Sequence, residues 1–131
     1  MQRLVIAGLL LTAGCAAVAA PFDVVNSLRL AGCGAEVAAA RVTRVARLDE
    51  VARRIARGDG LATALEGAGY RAASSTFMRL GGVRSDASVE AMLRGHHCER
   101  ISQPAYREGG IAQRGDDIWI EIRRRREDSA S

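Results

Sequence analysis

Lysine is absent from this 131-residue chain, and all 19 basic side chains are arginine. With the many Ala and Gly residues, that uniformity reads as the imprint of a GC-rich genome rather than as selection for chemistry. Aromatic residues are nearly as scarce, with one Trp, two Tyr and two Phe scattered along the sequence. A nucleic-acid reader needs a basic face carrying rings on which bases stack, so the scarcity argues against nucleic acid as a partner. The net charge of +4 is concentrated in the consecutive Arg123 to Arg126, and without that run the chain is near neutral. That run is expected to be a solvated tail rather than a polyanion-binding patch. There are only two prolines, no Pro-rich linker and no internal repeat. Glycines at Gly60, Gly82 and Gly109-Gly110 do not form a strand–loop–helix phosphate cradle, so no nucleotide cofactor is implied. Length and a 48% apolar composition allow one compact domain.

What is present begins with a leader. Residues 1–20 carry one positive residue, Arg3, then the apolar run Leu4 to Leu11, then small residues, which is the layout of a secretory signal. The run is too short to span a bilayer. Two processing readings stand side by side. Ala17-Val18-Ala19 suits ordinary cleavage, whereas Thr12-Ala13-Gly14-Cys15 is similar to a bacterial lipobox and would leave Cys15 as a lipidated membrane anchor. Either route exports the chain to the periplasm, the outer membrane or the medium. Of the three cysteines, Cys33 and Cys98 then remain in an oxidising compartment, where pairing is the default.

The organisation expected for the rest is residues 21–122 as one domain and 123–131 as a disordered basic tail. Val24, Val25, Leu28 and Ala31 predict a first helix, with Asn26, Ser27 and Arg29 on its polar side. Thr43 is placed to cap a second helix with Leu48, Val51, Ala52 and Ile55 inward. Asp59 is placed to cap a short third helix, and Asp86 one with Val89, Met92 and Leu93 buried. Thr76, Met78 and Leu80 alternate as a strand, and Ile118, Ile120 and Ile122 do so in the last one. The fold class is therefore α+β, a compact α-β-α sandwich with a small antiparallel sheet ending in a C-terminal hairpin.

Chemistry-bearing residues cluster in Arg94 to Ile111, which holds both histidines and Cys98. His96 and His97 are adjacent and so diverge on any regular backbone, which makes joint ligation of one ion awkward. Cys98 beside His97 has the letters of a thiol nucleophile with its base, but sequence neighbours do not reach each other properly and export favours a disulfide. Arg114-Gly115-Asp116 spells an adhesion tripeptide, yet a glycine among polar residues between two strands is what a hairpin turn requires.

Val25-Asn26-Ser27-Leu28-Arg29, Gly32-Cys33-Gly34, Ala68-Gly69-Tyr70, His97-Cys98-Glu99-Arg100-Ile101-Ser102-Gln103-Pro104-Ala105-Tyr106, Gly110-Ile111 and Ile118-Trp119-Ile120 occur in an order that resembles the CAP (SCP) domain of cysteine-rich secretory proteins, antigen 5 and pathogenesis-related group 1 proteins. The resemblance is especially to short bacterial members. The resemblance implies an α-β-α sandwich, an extracytoplasmic location and a cleft that in many relatives uses two His and two acidic residues to hold a divalent metal. Here His97 matches one histidine, Thr76 stands where a carboxylate belongs, and Glu90 is the candidate for the other acid. The set is reduced, so no cofactor is expected and His97 is only a weak metal candidate. The reading that follows is a non-enzymatic, exported domain whose cleft beside His97 takes a small apolar or lipid-like ligand, or which contacts an envelope protein. The alternatives are a metal-dependent or hydrolytic enzyme using His97, and a structural lipoprotein anchored through Cys15.

Overall fold

The computed structural model describes residues 21–34, 38–70 and 75–125. The expected leader with Cys15, its expected cleavage motif and residues 126–131 of the expected tail lie outside the described residues. Helix α1 (Pro21–Ala31) is followed by the two-residue strand β1 (Thr43–Arg44), α2 (Ala46–Ala56) and the short α3 (Leu61–Gly67). Strand β2 (Ser75–Leu80), α4 (Asp86–His96), the single turn α5 (Cys98–Ile101), β3 (Tyr106–Arg114) and β4 (Asp117–Arg124) complete the order. The strands form one sheet in the order β1-β3-β4-β2. Three of the four strands are antiparallel as the sequence predicts, and β1 adds a parallel pairing with β3 that was not foreseen. Helices cover both faces, so the architecture is the expected α-β-α sandwich.

Alternation along β4 sorts the two faces. Ile118, Ile120 and Ile122 pack with Met78 and Leu80 against Val25 and Leu28 of α1, Val89 and Leu93 of α4, and Ile101. On the other face Trp119 and Ala112 meet Leu48, Val51, Ala52 and Ile55 of α2, with Ala64 and Leu65 of α3. Helix α2 comes very close here because Gly110 has no side chain: a Cβ there would lie 2.0 Å from the Leu48 carbonyl carbon. Asp49 fixes the same approach, its Oδ1 accepting the Ile111 amide at 2.9 Å.

Several local expectations are corrected. Arg29 is not on a solvated side but is fully buried. Its Nε donates to the Ala40 carbonyl at 2.8 Å, and its Nη atoms donate to the carbonyls of Ile101, Gln103 and Tyr106. Asn26 is buried too, donating to the Val42 carbonyl at 3.1 Å and accepting the Val42 amide at 2.7 Å. Helix 3.6-residue geometry explains both, since Phe22, Val25, Asn26 and Arg29 share the stripe facing the core. Thr43 lies in β1, so Val45 precedes α2 without a side-chain cap, and Gly60 rather than Asp59 precedes α3. Asp86 is the first residue of α4, whose capping box is made by Ser85 and Ser88. Strand β4 runs on to Arg124, and Arg123 is buried rather than part of a tail.

Candidate functional site

His97 sits at the joint between α4 and α5. The chain leaves helical geometry there, with φ −128° and ψ 2°, while its amide still donates to the Leu93 carbonyl at 2.9 Å. Its own carbonyl accepts the Ile101 amide at 3.0 Å, which starts α5. A side chain at such a joint is fixed by backbone on both sides. The next residue, Cys98, bonds Cys33 with an S–S distance of 2.04 Å and closes a 65-residue separation. The joint is thereby tied to the Gly32-Cys33-Gly34 turn that ends α1.

The imidazole is half-buried, and Nδ1 is buried with no hydrogen-bond partner among the described residues. Burial first, then Arg100 and His96, push its pKa below the ordinary histidine value, so the ring is neutral at neutral pH. His96 stands edge-on to it, the ring centroids 6.4 Å apart and the planes at 75°. Ser102, at the other end of α5, also has a buried hydroxyl without a partner. Nothing in residue type or spacing had drawn attention to it.

Glu90 lies on the exposed side of α4, and its Oε1 accepts from Arg94 Nε at 3.0 Å. It precedes His97 by two helical turns, about 10 Å along the axis. Thr76 is half-buried on β2 opposite Ile122, on the α1/α4 side of the sheet. The three candidates therefore belong to one side of the molecule, but the structure records no contact joining them. Among the described residues no group of three His, Cys, Asp or Glu is placed to hold a metal ion. His97 as a ligand would have to recruit donors other than Glu90 in its present pairing.

A second set of polar groups lies on the α2 side, where Trp119, Glu121 and Arg123 alternate with the isoleucines of β4. Glu121 is fully buried, and neither carboxyl oxygen has a hydrogen-bond partner among the described residues. Burial pushes its pKa up to about 8, outweighing the pull of Arg123 and of the nearby Ser75 hydroxyl, which falls short of a full hydrogen bond. The Arg123 guanidinium lies over the Tyr70 ring, 4.5 Å from its centre. Nearer the hairpin turn, Arg79 lies 5.4 Å from the centre of the Trp119 ring and donates to Asp117 at 3.0 Å. Arg114-Gly115-Asp116 forms that turn, with Gly115 at φ +57°, as a two-residue hairpin connection requires.

Comparison with solved structures gives a likeness of fold. The chain superposes on a cysteine-rich secretory protein from Staphylococcus aureus with a TM-score of 0.68 at 14% identity, over 80% of this chain. It spans 37% of the length of that chain. No family model matches the sequence, and no curated protein is similar to it. At this identity the likeness is one of fold: helices on both faces of a small sheet, arranged as in a cysteine-rich secretory protein.

Proposed function

We propose that this chain is an exported CAP-type domain that acts by binding or interaction at the cell envelope or outside the cell, and not by catalysis. The observation that carries the reading is the Cys33–Cys98 disulfide in a fold shared with a secretory protein. Disulfides persist in oxidising compartments, and this one joins elements far apart in sequence. Binding is favoured over catalysis by what surrounds His97. Thr76 has no acidic proton to offer where the family places a carboxylate, and Glu90 is engaged by Arg94. General acid–base work needs a partner within hydrogen-bond reach of the reacting proton, and neither residue is seen in that role. The ligand on this reading is a small apolar or lipid-like molecule or an envelope protein. Expression of the full chain with its own leader, followed by fractionation and thiol labelling with and without reductant, tests it. The expected result is protein outside the cytoplasm with Cys33 and Cys98 labelled only after reduction; a reduced cytoplasmic pool defeats the proposal. Globomycin sensitivity separates the lipid-anchored form at Cys15 from the freely secreted one.

A second reading keeps His97 as a functional ligand or base, because a neutral imidazole with an unpartnered Nδ1 is competent for either. Zinc titration decides it: no stoichiometric binding, together with unchanged properties in His97→Ala, removes this reading.

A further inference from the structure

A concavity of the molecule lies away from His97. It is an open groove of about 600 Å³ at the hairpin end of the α2 face. Ile55 and Ala56, in the last turn of α2, form an apolar wall, and Arg79, Arg114, Asp117 and Trp119 form the wall on the sheet. Register explains why four side chains from three strands meet. Arg79 lies opposite Trp119, and Arg114 opposite Asp117, so all four rise from one face. Gly58 and Gly115 border the mouth, where a Cβ at either would meet nothing within 4 Å.

Both guanidiniums are held in place before any ligand arrives. Arg79 rests over the Trp119 ring and donates to Asp117 Oδ2 at 3.0 Å. Arg114 donates to the Ala56 carbonyl at 3.3 Å. A guanidinium carries five N–H donors in a rigid fork, so each keeps donors beyond these bonds. The end of α2 presents carbonyls and by itself favours cations, but Arg114 already satisfies the Ala56 carbonyl. Two guanidiniums against one carboxylate leave the lining with an excess of one positive charge. A ligand suited to it carries one negative charge on an apolar body.

We infer that this groove binds a carboxylate borne on a short apolar body, such as the free C-terminus of a peptide ending in leucine. The carboxylate is received by Arg79 and Arg114, and the apolar part lies along Ile55 and Ala56. The site is separate from the surroundings of His97. Tyr106 starts the nine-residue β3 next to α5 and Arg114 ends it, a span of about 27 Å, and the two sites use opposite faces of the sheet. The inference therefore does not depend on export or on the cleft.

Calorimetric titration of the full chain with three probes tests it: the tripeptide Gly-Gly-Leu as free acid, the same peptide as its C-terminal amide, and hexanoate. The free acid should bind and the amide should not. Arg114→Gln should weaken the free acid about tenfold, as loss of a charge-assisted hydrogen bond does, with Arg79→Gln as the second variant should the first fail to fold. Arg53→Gln, on the exposed side of α2, should leave affinity unchanged. Hexanoate binding as well as the peptide supports a general apolar carboxylate site, and binding of the peptide acid alone supports a C-terminus reader. Equal binding of acid and amide, no binding of either acid, or indifference to both groove variants overturns the inference.

Discussion

The two faces of the sheet solve the same packing problem with different materials. On the α1/α4 face, Met78, Leu80, Ile118, Ile120 and Ile122 make an apolar layer, and beside it the buried Asn26 and Arg29 side chains gather backbone groups of Ala40, Val42, Gln103 and Tyr106. On the α2 face, glycine and alanine admit the helix closely, and beyond its reach the same strands carry Glu121 and Arg123 into buried positions. The first face is closed by long-range ties between segments, Arg29 to residues 101–106 and Cys33 to Cys98. The second rests on close approach of one helix and leaves charge and an open groove beside it. Stability is thus expected to depend on cross-linking side chains on one face, and on fit and protonation on the other.

That contrast is broken most directly at Arg29. A charged hydrogen bond is worth about 1.5–3 kcal/mol, and removing the guanidinium strands several buried carbonyls at once. Arg29→Ala should therefore cost on the order of 5 kcal/mol in urea denaturation, and Arg29→Lys should rescue little of it because one ammonium cannot reach all four carbonyls. A loss as small as that of an exposed arginine such as Arg53 would remove Arg29 from its place as the organiser of this face. Next in size is the disulfide. For a 65-residue separation the chain-entropy model gives about 4 kcal/mol. Cys33→Ser and Cys98→Ser should each lower the melting temperature equally, with no further loss in the double variant; additive losses would contradict a shared bond.

How far the sequence foretold this contrast depends on which physical signal each residue carries. Alternation made the strand at Ile118 to Arg123 legible, including which side chains share a face, because a strand's period of two does not depend on its neighbours. Arg29 was misjudged for the opposite reason. Its spacing from Phe22, Val25 and Asn26 put it on the buried stripe, but arginine is read as solvated unless something absorbs its charge, and the carbonyls that do so come from residues 101–106. Strand β1 was invisible because two residues have no period. At the candidate site, the pairing of Cys33 with Cys98 was legible from the cysteine count and the expected export. The groove was not, since Ile55, Arg79 and Arg114 meet only through strand register and the seating of α2.

On the α2 face the next test is fit. Gly110→Ala places a Cβ 2.0 Å from the backbone of Leu48, a contact no side-chain rotation relieves. The helix must lift, at about 3 kcal/mol, the upper part of the range for overpacking. Circular dichroism at the indole band of Trp119, which packs against α2, should change together with the melting temperature. A variant as stable as the parent would mean that α2 is not seated by this glycine.

The smallest effect expected is also the one with the opposite sign, and it comes from Glu121. Its carboxyl is fully buried without a hydrogen-bond partner among the described residues, and its folded pKa stands near 8, above the value of about 4.5 in an unfolded chain. The folded state therefore holds a proton that the unfolded state has released throughout the interval from about pH 4.5 to 8. Linkage then requires the contribution of this group to stability to fall as pH rises across that interval, and to level off above pH 8, where both states are ionised. His97 tilts the other way. Its lowered pKa leaves its contribution intact above about pH 6.5 and erodes it below. Glu121→Gln removes the proton exchange while keeping the shape of the side chain, so at pH 7 it should stabilise the protein by about 1–3 kcal/mol, less than the full linkage because the buried amide still lacks partners. In urea titrations from pH 5 to 9 the parent should lose stability toward the alkaline end while Glu121→Gln stays nearly flat. Parallel pH profiles for the two proteins would mean that Glu121 is solvated or paired in solution, and that its protonation does not set the stability of the second face.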